Sequence, residues 1–312
     1  MKTAFLFPGQ GAQVVGMGAD IAQAFPVAED IFQRANDVVG FDLRRVCFDG
    51  PAEELHTTTI SQPAIFTVSA AILEVLRSES DLDAIVPDVT AGLSLGEYSA
   101  LYAAGCLSFE DALRLVHKRG QAMQAAADAT DGAMVSIIGL DREKVHAVCE
   151  EAADGDLLVP VNFNCPGQIV VSGAVGACER AVEAAERYGA IKAIRLEVAG
   201  AFHTEMMSSA ADALAKALSQ AGVRAPGAVA VIANVDADYY KTAEQIQEGL
   251  VRQLTSPILW QACMERLAAD GIEALYEIGP GRVLTGLMKR IDRKRKVVNL
   301  SSAKALADLM AS

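Results

Sequence analysis

Residues 92–96 read Gly-Leu-Ser-Leu-Gly and join two segments of different character. The segment at 88–93 has the apolar pattern of a buried strand, and the residues after Gly96 have the pattern of a helix. Glycines on both sides of a serine let a strand turn sharply into a helix, because neighbouring backbones can approach without a Cβ clash. The sequence therefore predicts an α/β fold with Ser94 as a nucleophile at a helix N-terminus, where the N–H of Leu95 would face a developing oxyanion.

The N-terminal part of the chain alternates strands and helices. We predict a strand at 3–7, a helix at 61–79 and the strand at 88–93. This alternation indicates helices packed on a mostly parallel sheet. We expect the helix to begin with Ser61 as its N-cap and to carry Pro63 in its first turn.

Residues 129–199 have a different pattern of predicted elements. Their order is β-α-β-β-α-β, that of a ferredoxin-like unit, and the last strand is at 190–198. We interpret this segment as a subdomain inserted into a larger α/β domain made of residues 1–128 and 200–312. The larger domain then resumes with a helix near 204–221, a strand at 228–234, a helix near 242–254 and a strand and turn at 274–281.

The charge and composition exclude several classes of protein. The net charge of −13 makes nonspecific nucleic-acid binding unexpected, because phosphates must be met by a surplus of cations. Six scattered cysteines are typical of reduced thiols, and the four histidines lack zinc-ligand spacing, so we expect no metal. No apolar run has the length of a membrane span and the start lacks a signal-peptide pattern, so we expect a cytoplasmic protein without a membrane partner.

A serine nucleophile needs a base, and His203 is the histidine best placed to be one. It follows two small residues and Phe202 in the segment 198–207, just before a helix-like stretch. The alternative is a structural histidine at a helix start. The remaining histidines read as surface, packing or turn residues.

Arg119 lies in the apolar stripe of the helix that begins after Ser108. A guanidinium that faces inward must be paired, because an unpaired buried charge is costly. It is either a structural or snorkelling arginine or a bidentate clamp for a substrate carboxylate.

Residues 7–13, Phe-Pro-Gly-Gln-Gly-Ala-Gln, are rich in glycine but do not form a phosphate loop. Val14 breaks the pattern G-x-G-x-x-G, and no Gly-Lys-Ser/Thr follows. We interpret the segment as a loop after the first strand that can bring a backbone N–H to the active site.

These segments together resemble the malonyl-CoA:acyl-carrier-protein transacylases of fatty acid synthesis. The resemblance extends over nearly the whole chain, through FPGQGAQ, GLSLGEYSAL, RGQAMQ, PVNFNCPGQIVVSG, GAFH, VRQLTSPILW and EIGPGRVLTGLMKR in that order. It implies a hydrolase-like parallel-sheet domain with an inserted ferredoxin-like subdomain, in agreement with the two patterns of predicted elements described above.

The resemblance also implies a role for individual residues. Ser94 would take the malonyl group as an ester, with His203 as base and later acid, and Arg119 would pair with the malonyl carboxylate. The N–H groups of Gln10 and Leu95 would form the oxyanion hole. In place of a triad aspartate, the main-chain carbonyl of Gln253 would orient the histidine.

Two further positions bear on substrate choice and on departure from the family. Related polyketide acyltransferases that choose malonyl have a Phe at the place of Phe202, which would crowd the α-carbon of the acyl group. Members often have His where this chain has Leu93. Because the expected base is elsewhere, we do not expect this departure to abolish activity.

The implied reaction is ping-pong transfer from malonyl-CoA to the phosphopantetheine thiol of acyl carrier protein, with no external cofactor or metal. The alternative is a serine hydrolase or thioesterase with water as acceptor, but such enzymes place their histidine late in the chain. Here 109 residues follow His203 (312 − 203). A third class, a noncatalytic carrier-binding module, would not need Ser, His and Arg together.

The carrier and the chain are both acidic, so docking needs a local basic patch. The first candidate is the segment 289–296, which contains Lys289, Arg290, Arg293, Lys294, Arg295 and Lys296. The same residues read equally as a solvated charge run. A second candidate surface lies on the inserted subdomain around Arg187, Lys192 and Arg195. We expect a monomer.

Overall fold

The computed structural model of the chain describes residues 1–79 and 86–311, which form a mixed α/β structure with two separate sheets. Within these residues the parallel sheet contains β1 (Thr3–Phe7), β2 (Val89–Gly92), β7 (Ala230–Val231), β8 (Ala274–Ile278) and β9 (Val297–Leu300). The antiparallel sheet contains β3 (Gly132–Ile138), β4 (Leu158–Cys165), β5 (Gln168–Ala174) and β6 (Lys192–Arg195).

The chain also contains α-helices, and a short 3₁₀ turn at Glu205–Met207 precedes one of them. They are α1 (Ala19–Ala24), α2 (Pro26–Val39), α3 (Leu43–Asp49), α4 (Ala52–Leu55), α5 (Thr58–Ser78), α6 (Gly96–Ala103), α7 (Phe109–Asp128), α8 (Arg142–Ala153), α9 (Val175–Arg187), α10 (Ser208–Leu218), α11 (Ala243–Gln253), α12 (Trp260–Ala269), α13 (Val283–Ile291) and α14 (Ala303–Met310).

The parallel sheet has the strand order β7-β2-β1-β8-β9. Strand β1 is central and pairs with β2 on one side and β8 on the other, and Phe7 lies opposite Gly92 at the carboxyl ends. The loops that follow these two strands therefore meet at one edge of the sheet. In open α/β sheets this edge is where ligand sites form.

Helix α5 is the central helix of the main apolar core and packs between α2 and α7. By length and composition it could cross a membrane, but 83% of its apolar window is buried inside the protein. That degree of burial is typical of a core helix.

The predicted start of α5 is wrong. Thr57 is the N-cap, the helix begins at Thr58, and the N–H of Ser61 donates to the carbonyl of Thr57 at 2.8 Å. Pro63 therefore lies inside the helix and removes one backbone hydrogen bond. The burial of nearly every neighbouring side chain compensates for this loss, because packing outweighs local propensity in a core helix.

The predicted element order β-α-β-β-α-β between residues 129 and 199 is confirmed. The sheet order is β4-β5-β3-β6, and α8 and α9 cover one face with an apolar cluster of their own. Strand β6 is shorter than the predicted strand at 190–198. The N–H of Val198 donates to the carbonyl of Leu196 at 3.0 Å, so the chain turns there and leaves the sheet.

Two predicted elements after residue 200 also differ in length from the observed ones. The helix expected near 204–221 is a 3₁₀ turn followed by α10. The strand expected at 228–234 is reduced to β7, because the N–H of Ala233 donates to the carbonyl of Asp238 and the chain folds back on itself.

Candidate active site

The turn after β2 depends on three glycines at positions of close backbone contact. A Cβ on Gly92 would lie 1.9 Å from the carbonyl of Gly96, and a Cβ on Gly96 would lie 2.1 Å from the carbonyl oxygen of Phe7. A Cβ on Gly9 would lie 2.3 Å from the carbonyl oxygen of Leu93. Only glycine fits these positions, so the first loop and the serine turn lie against each other.

Ser94 occupies the tip of this turn with φ of 50°, in the left-handed region that a side chain seldom adopts. Two side-chain amides hold its backbone. Its N–H donates to Asn234 Oδ1 at 2.6 Å, and Gln253 Nε2 donates to its carbonyl at 3.0 Å. A strained backbone of this kind costs about 1–3 kcal/mol and persists where its surroundings fix it.

His203 lies next to the serine, with Nε2 at 3.0 Å from Ser94 Oγ. Its Nδ1 is 2.7 Å from the main-chain carbonyl of Gln253. A carbonyl oxygen can only accept, so Nδ1 carries the proton and Nε2 is free to accept from the serine hydroxyl. Burial, reinforced by the positive charge of Arg119, lowers the pKa of His203 to about 4. The imidazole is therefore neutral and ready to act as a base.

Arg119 extends from α7 into the site and is 1% exposed. Nη2 donates to Ser94 Oγ at 3.0 Å and to Gln253 Oε1 at 2.8 Å, and Nη1 donates to Gln62 Oε1 at 2.8 Å. These three acceptors are neutral oxygens, and Nε has no hydrogen-bond partner within the described residues. Burial lowers the pKa of Arg119, but a guanidinium keeps its proton at neutral pH. The site therefore holds a positive charge suited to an incoming carboxylate.

Ser94, Arg119 and His203 line a cavity of about 510 Å³. Its other lining residues include all the remaining positions predicted for substrate contact, Gln10, Leu95 and Phe202, together with Leu93, His56, Met123, Met134, Asn162 and residues 194–198. The structure thus brings together every predicted catalytic, oxyanion-hole and acyl-binding residue, with Gln253 directly beneath them. Among the described residues no group of three or more His, Cys, Asp or Glu side chains is arranged to hold a metal ion.

The basic segment at 289–296 lies elsewhere. It comprises the last turn of α13 and the loop to β9, and Val297 at the start of β9 pairs with Leu275 near the start of β8. The segment therefore precedes a parallel strand and lies at the amino edge of the sheet. The serine turn follows the carboxyl ends of the strands. The length of a strand, about five residues or about 15 Å, therefore separates the basic segment from the serine turn.

The members of this basic segment are not equally free. Arg295 is half-buried, donates to the carbonyls of Ile272 and Ala268, and pairs with Asp292. Lys289, Arg290, Arg293, Lys294 and Lys296 are exposed, and Arg290 also donates to Gln168 Oε1 at 3.0 Å. The carrier-docking assignment of Arg295 therefore competes with a structural role at the end of α12.

The residues on the inserted subdomain have different positions. Arg195 lines the cavity and forms an exposed pair with Glu179 at 3.6 Å. Lys192 is exposed on the same edge strand, β6, whereas Arg187 pairs with Glu151. Of these three residues, Arg195 lies at the opening of the active site.

Sequence reasoning overlooked three polar residues that hold the site. Gln62 accepts from Arg119, Asn234 accepts from the N–H of Ser94, and Glu97 accepts from Gln253 Nε2 at 2.5 Å. Each is completely buried. A polar residue in an otherwise apolar helix is a usable signal for Gln62 and Glu97, but Asn234 ends a short strand-like run and carries no such signal.

A half-buried serine that contacts a buried histidine and a buried arginine, at the carboxyl edge of a parallel sheet, defines a serine-dependent enzyme that acts on acyl groups. Residues 4–309 match the family described as acyl transferase domain, and the chain belongs to that family.

Relatives within this family share a name. The chain is 47% identical over 288 residues to the malonyl CoA-acyl carrier protein transacylase of Escherichia coli strain K12, covering 92% of each chain. It is 43% identical over 306 residues to that of Bacillus subtilis strain 168, covering 98% of this chain and 95% of the relative.

Solved structures agree with the sequence comparison. A malonyl-transacylase in complex with a type II PKS acyl-carrier protein matches with a TM-score of 0.95 at 43% identity, covering 100% of this chain and 99% of that one. An acyl carrier protein S-malonyltransferase from Vibrio cholerae matches with a TM-score of 0.94 at 44% identity, covering 99% and 100%.

Proposed function

We propose that this chain transfers a malonyl group from malonyl-CoA to the phosphopantetheine thiol of an acyl carrier protein. The observation that carries the proposal is Arg119, whose buried guanidinium bonds neutral oxygens and lies 3.0 Å from Ser94 Oγ. A carboxylate at the end of a short acyl group would neutralise that charge while its thioester carbon lies at the serine. The names of the relatives above support the same substrate pair.

In the first half-reaction His203 Nε2 accepts the proton of Ser94 Oγ as that oxygen attacks the thioester carbonyl. The tetrahedral oxyanion would accept hydrogen bonds from the N–H groups of Gln10 and Leu95, which line the cavity. When the C–S bond breaks, the CoA thiolate takes the proton from His203. The acyl group remains on Ser94 as an ester.

In the second half-reaction the same groups act in the reverse order. His203 accepts the proton of the carrier's phosphopantetheine thiol as the sulfur attacks the Ser94 ester. The C–O bond breaks, and His203 returns its proton to the serine oxygen. The main-chain carbonyl of Gln253, which accepts from Nδ1, stabilises the imidazolium in both half-reactions.

The hydrolase alternative has the same serine and histidine but needs water as the acceptor. The family match and the relatives' names favour transfer to a carrier protein over hydrolysis. We propose that no metal or external cofactor takes part, because the two half-reactions balance with the groups named above.

We also infer that the parallel-sheet unit is hydrolase-like and comprises residues 1–128 and 200–312, with a ferredoxin-like subdomain at 129–199. The strand order β4-β5-β3-β6 and the sharp turn at Ser94 support this interpretation. Residues 80–85 and residue 312 of these ranges lie outside the described residues.

The proposed setting is a monomer in the cytoplasm. All six cysteines are free and buried, which fits a reducing compartment. Analytical ultracentrifugation at micromolar concentration tests the oligomeric state, and a concentration-dependent rise in mass would contradict a monomer.

The two candidate surfaces for carrier docking differ in their position relative to the cavity. Arg195 lines the cavity and Lys192 lies on the same edge strand, β6, whereas the segment at 289–296 lies at the opposite edge of the parallel sheet. We therefore propose that Lys192 and Arg195 guide the acidic carrier, and that the segment at 289–296 contributes less.

Intact-mass spectrometry tests the proposed function directly. Incubation with malonyl-CoA should add one malonyl group to the protein, and peptide mapping should place it on Ser94. Addition of a phosphopantetheinylated carrier protein should discharge that adduct onto the carrier. If the adduct is released to water at the same rate without a carrier, the protein is a hydrolase instead.

A further inference from the structure

Glu97 is a buried carboxylate directly behind the serine turn, in the first turn of α6, and it is 0% exposed. Three donors point at it. Tyr240 Oη donates to Oε1 at 2.6 Å, the N–H of Asn234 donates to Oε1 at 3.4 Å, and Gln253 Nε2 donates to Oε2 at 2.5 Å. The mechanism described above makes no use of this group.

The Gln253 carboxamide connects Glu97 to the reacting groups. Its Nε2 donates to Glu97 and to the carbonyl of Ser94, and its Oε1 accepts from Arg119. A carboxamide has donors only on nitrogen and acceptors only on oxygen. Two acceptors on one side and a guanidinium on the other therefore allow a single orientation of this amide.

The separation of Glu97 from Arg119 by one amide matters for binding. A carboxylate in direct contact with Arg119 would satisfy the guanidinium and compete with a substrate carboxylate. A carboxylate one amide away attracts the buried positive charge and lowers its burial cost without occupying its donors. This arrangement keeps Arg119 oriented while it remains available to the acyl group.

We propose that Glu97 is a positioning residue: its Oε2 fixes the Gln253 amide, and through that amide it orients Arg119 for the carboxylate of the acyl group. This inference rests on the proposed malonyl transfer. It assigns to the Gln253 side chain a role separate from that of its main-chain carbonyl, which orients His203.

The orienting role of Glu97 requires an acceptor oxygen at Oε2, whereas its charge bears only on the burial cost of Arg119. Burial, opposed by the hydrogen bonds from Tyr240, Gln253 and Asn234, raises the pKa of Glu97 to about 7. A protonated carboxyl, or a glutamine, can still present its carbonyl oxygen to Gln253 and turn its donor toward Tyr240 Oη. The two substitutions Glu97→Gln and Glu97→Met therefore separate the acceptor from the volume of the side chain.

The test compares Ser94 acylation by malonyl-CoA and by acetyl-CoA in these variants. Glu97→Met should lower kcat/KM for malonyl-CoA by about 10- to 100-fold, because a misplaced binding group can cost about that much. It should lower kcat/KM for acetyl-CoA much less, so the malonyl/acetyl ratio should fall. Glu97→Gln should restore most of the ratio.

Two further variants guard against a general loss of structure. Glu277 is equally buried but accepts from the N–H groups of Leu284 and Thr285 at the start of α13, so Glu277→Met should alter stability and leave the ratio unchanged. If Glu97→Met does not fold, Gln253→Met serves instead. It keeps the main-chain carbonyl for His203 and should reproduce the fall in ratio.

The outcomes separate this inference from the proposed function. A wild-type protein that is not loaded by malonyl-CoA overturns the proposed function. A wild-type protein that is loaded, with Glu97→Met or Gln253→Met leaving the malonyl/acetyl ratio unchanged, overturns the positioning role alone. An equal fall with both acyl groups in Glu97→Met and Glu97→Gln also overturns it.

Discussion

The two sides of Ser94 differ in how their side chains are held. Beneath the serine, the floor of the site consists of Glu97, Asn234, Tyr240 and Gln253. Above it, the mouth of the site consists of Gln10, His56, Ile194 and Arg195. Every floor side chain is buried and hydrogen-bonded within the floor or to Ser94. The mouth side chains are half-buried or exposed.

This contrast separates two tasks. The floor fixes the directions of Ser94, Arg119 and His203 before any substrate arrives, so it should determine rate and the choice of acyl group. In the proposed reaction the mouth receives two bulky thiols in turn, so it should determine access and encounter. Variants of the two regions should therefore differ in the size and the kind of their effects.

The largest effect should come from the serine itself. Ser94→Ala should abolish acyl loading, and His203→Ala should reduce it by at least about 10⁴-fold, since removal of either partner of such a pair costs about as much as removal of both. Single-turnover mass spectrometry with malonyl-CoA measures this. Both variants should melt as cooperatively as the wild type, and persistent malonylation at another active-site residue of Ser94→Ala would contradict the assignment.

The buried carboxyl of Glu97, in the floor of the site, should make the unfolding free energy depend on pH. The folded-state pKa of Glu97, about 7, exceeds its ordinary value of 4.5, so the folded state binds the proton more tightly than the unfolded state. The contribution of the protonated Glu97 carboxyl to the unfolding free energy of the wild type is fully present below about pH 4.5 and is lost as the pH rises through 7. Glutamine does not titrate. The unfolding free energy of Glu97→Gln relative to wild type should therefore rise by about 3 kcal/mol between about pH 4.5 and pH 8.

Urea unfolding at the two pH values measures this difference, and His203 contributes equally to both proteins in that comparison. A constant difference between Glu97→Gln and wild type at both pH values would mean that the buried carboxyl does not change its protonation on unfolding.

The arginine between the two regions should determine the acyl group. A hydrogen-bonded pair with a charged group contributes about 1.5–3 kcal/mol, so Arg119→Ala should reduce the malonyl/acetyl ratio of kcat/KM by about 10- to 150-fold. Initial rates of Ser94 acylation with the two acyl-CoA substrates provide the measurement. Arg114→Ala, on the exposed face of the same helix, is the matched control, and an unchanged ratio in Arg119→Ala would make Arg119 purely structural.

Phe202 should have a smaller effect, because it limits space and makes no bond to the acyl group. It lines the cavity and is 4% exposed. A single methyl group is worth about 1–3 kcal/mol in an apolar pocket. Phe202→Ser should therefore raise methylmalonyl transfer relative to malonyl transfer by about 10-fold. Competition between the two acyl-CoA substrates measures this, and a wild type that already uses both equally would refute the steric explanation.

The smallest effect should come from charges at the mouth. Exposed pairs contribute about 0.2–1 kcal/mol, so Arg195→Glu should raise the KM for the carrier by about two- to fivefold at low salt. Arg293→Glu, in the segment at 289–296, is the matched charge reversal far from the mouth. A larger rise in Arg293→Glu than in Arg195→Glu would return carrier docking to that segment.

The sequence predicts the residues that meet at the cavity better than the residues that hold them in place. The direction of Ser94 follows from two neighbouring glycines, and the inward position of Arg119 follows from the stripe of its own helix. Glu97, Gln62 and Asn234 act through partners far along the chain, as in the bond between Ser94 and Asn234 across 140 residues. Pairings of that length depend on strand order, which local patterns do not specify.

Element boundaries show the same limit. The start of α5 at Thr58 and the early end of β6 after Arg195 result from burial and strand pairing rather than from caps or propensities. The order of elements between residues 129 and 199 is predicted correctly, because each strand and helix there has its own apolar periodicity.

Ser94 and His203 both have backbones in the left-handed region, with φ of 50° and 64°. The directions of both side chains are therefore set by the main chain of two short loops. If either loop relaxes to an ordinary conformation, the hydroxyl and the imidazole point apart while both sheets stay intact. Loss of activity on heating should then precede loss of ellipticity. A turnover assay would therefore report local unfolding of the loops at the carboxyl edge of the sheet, before the sheets themselves unfold.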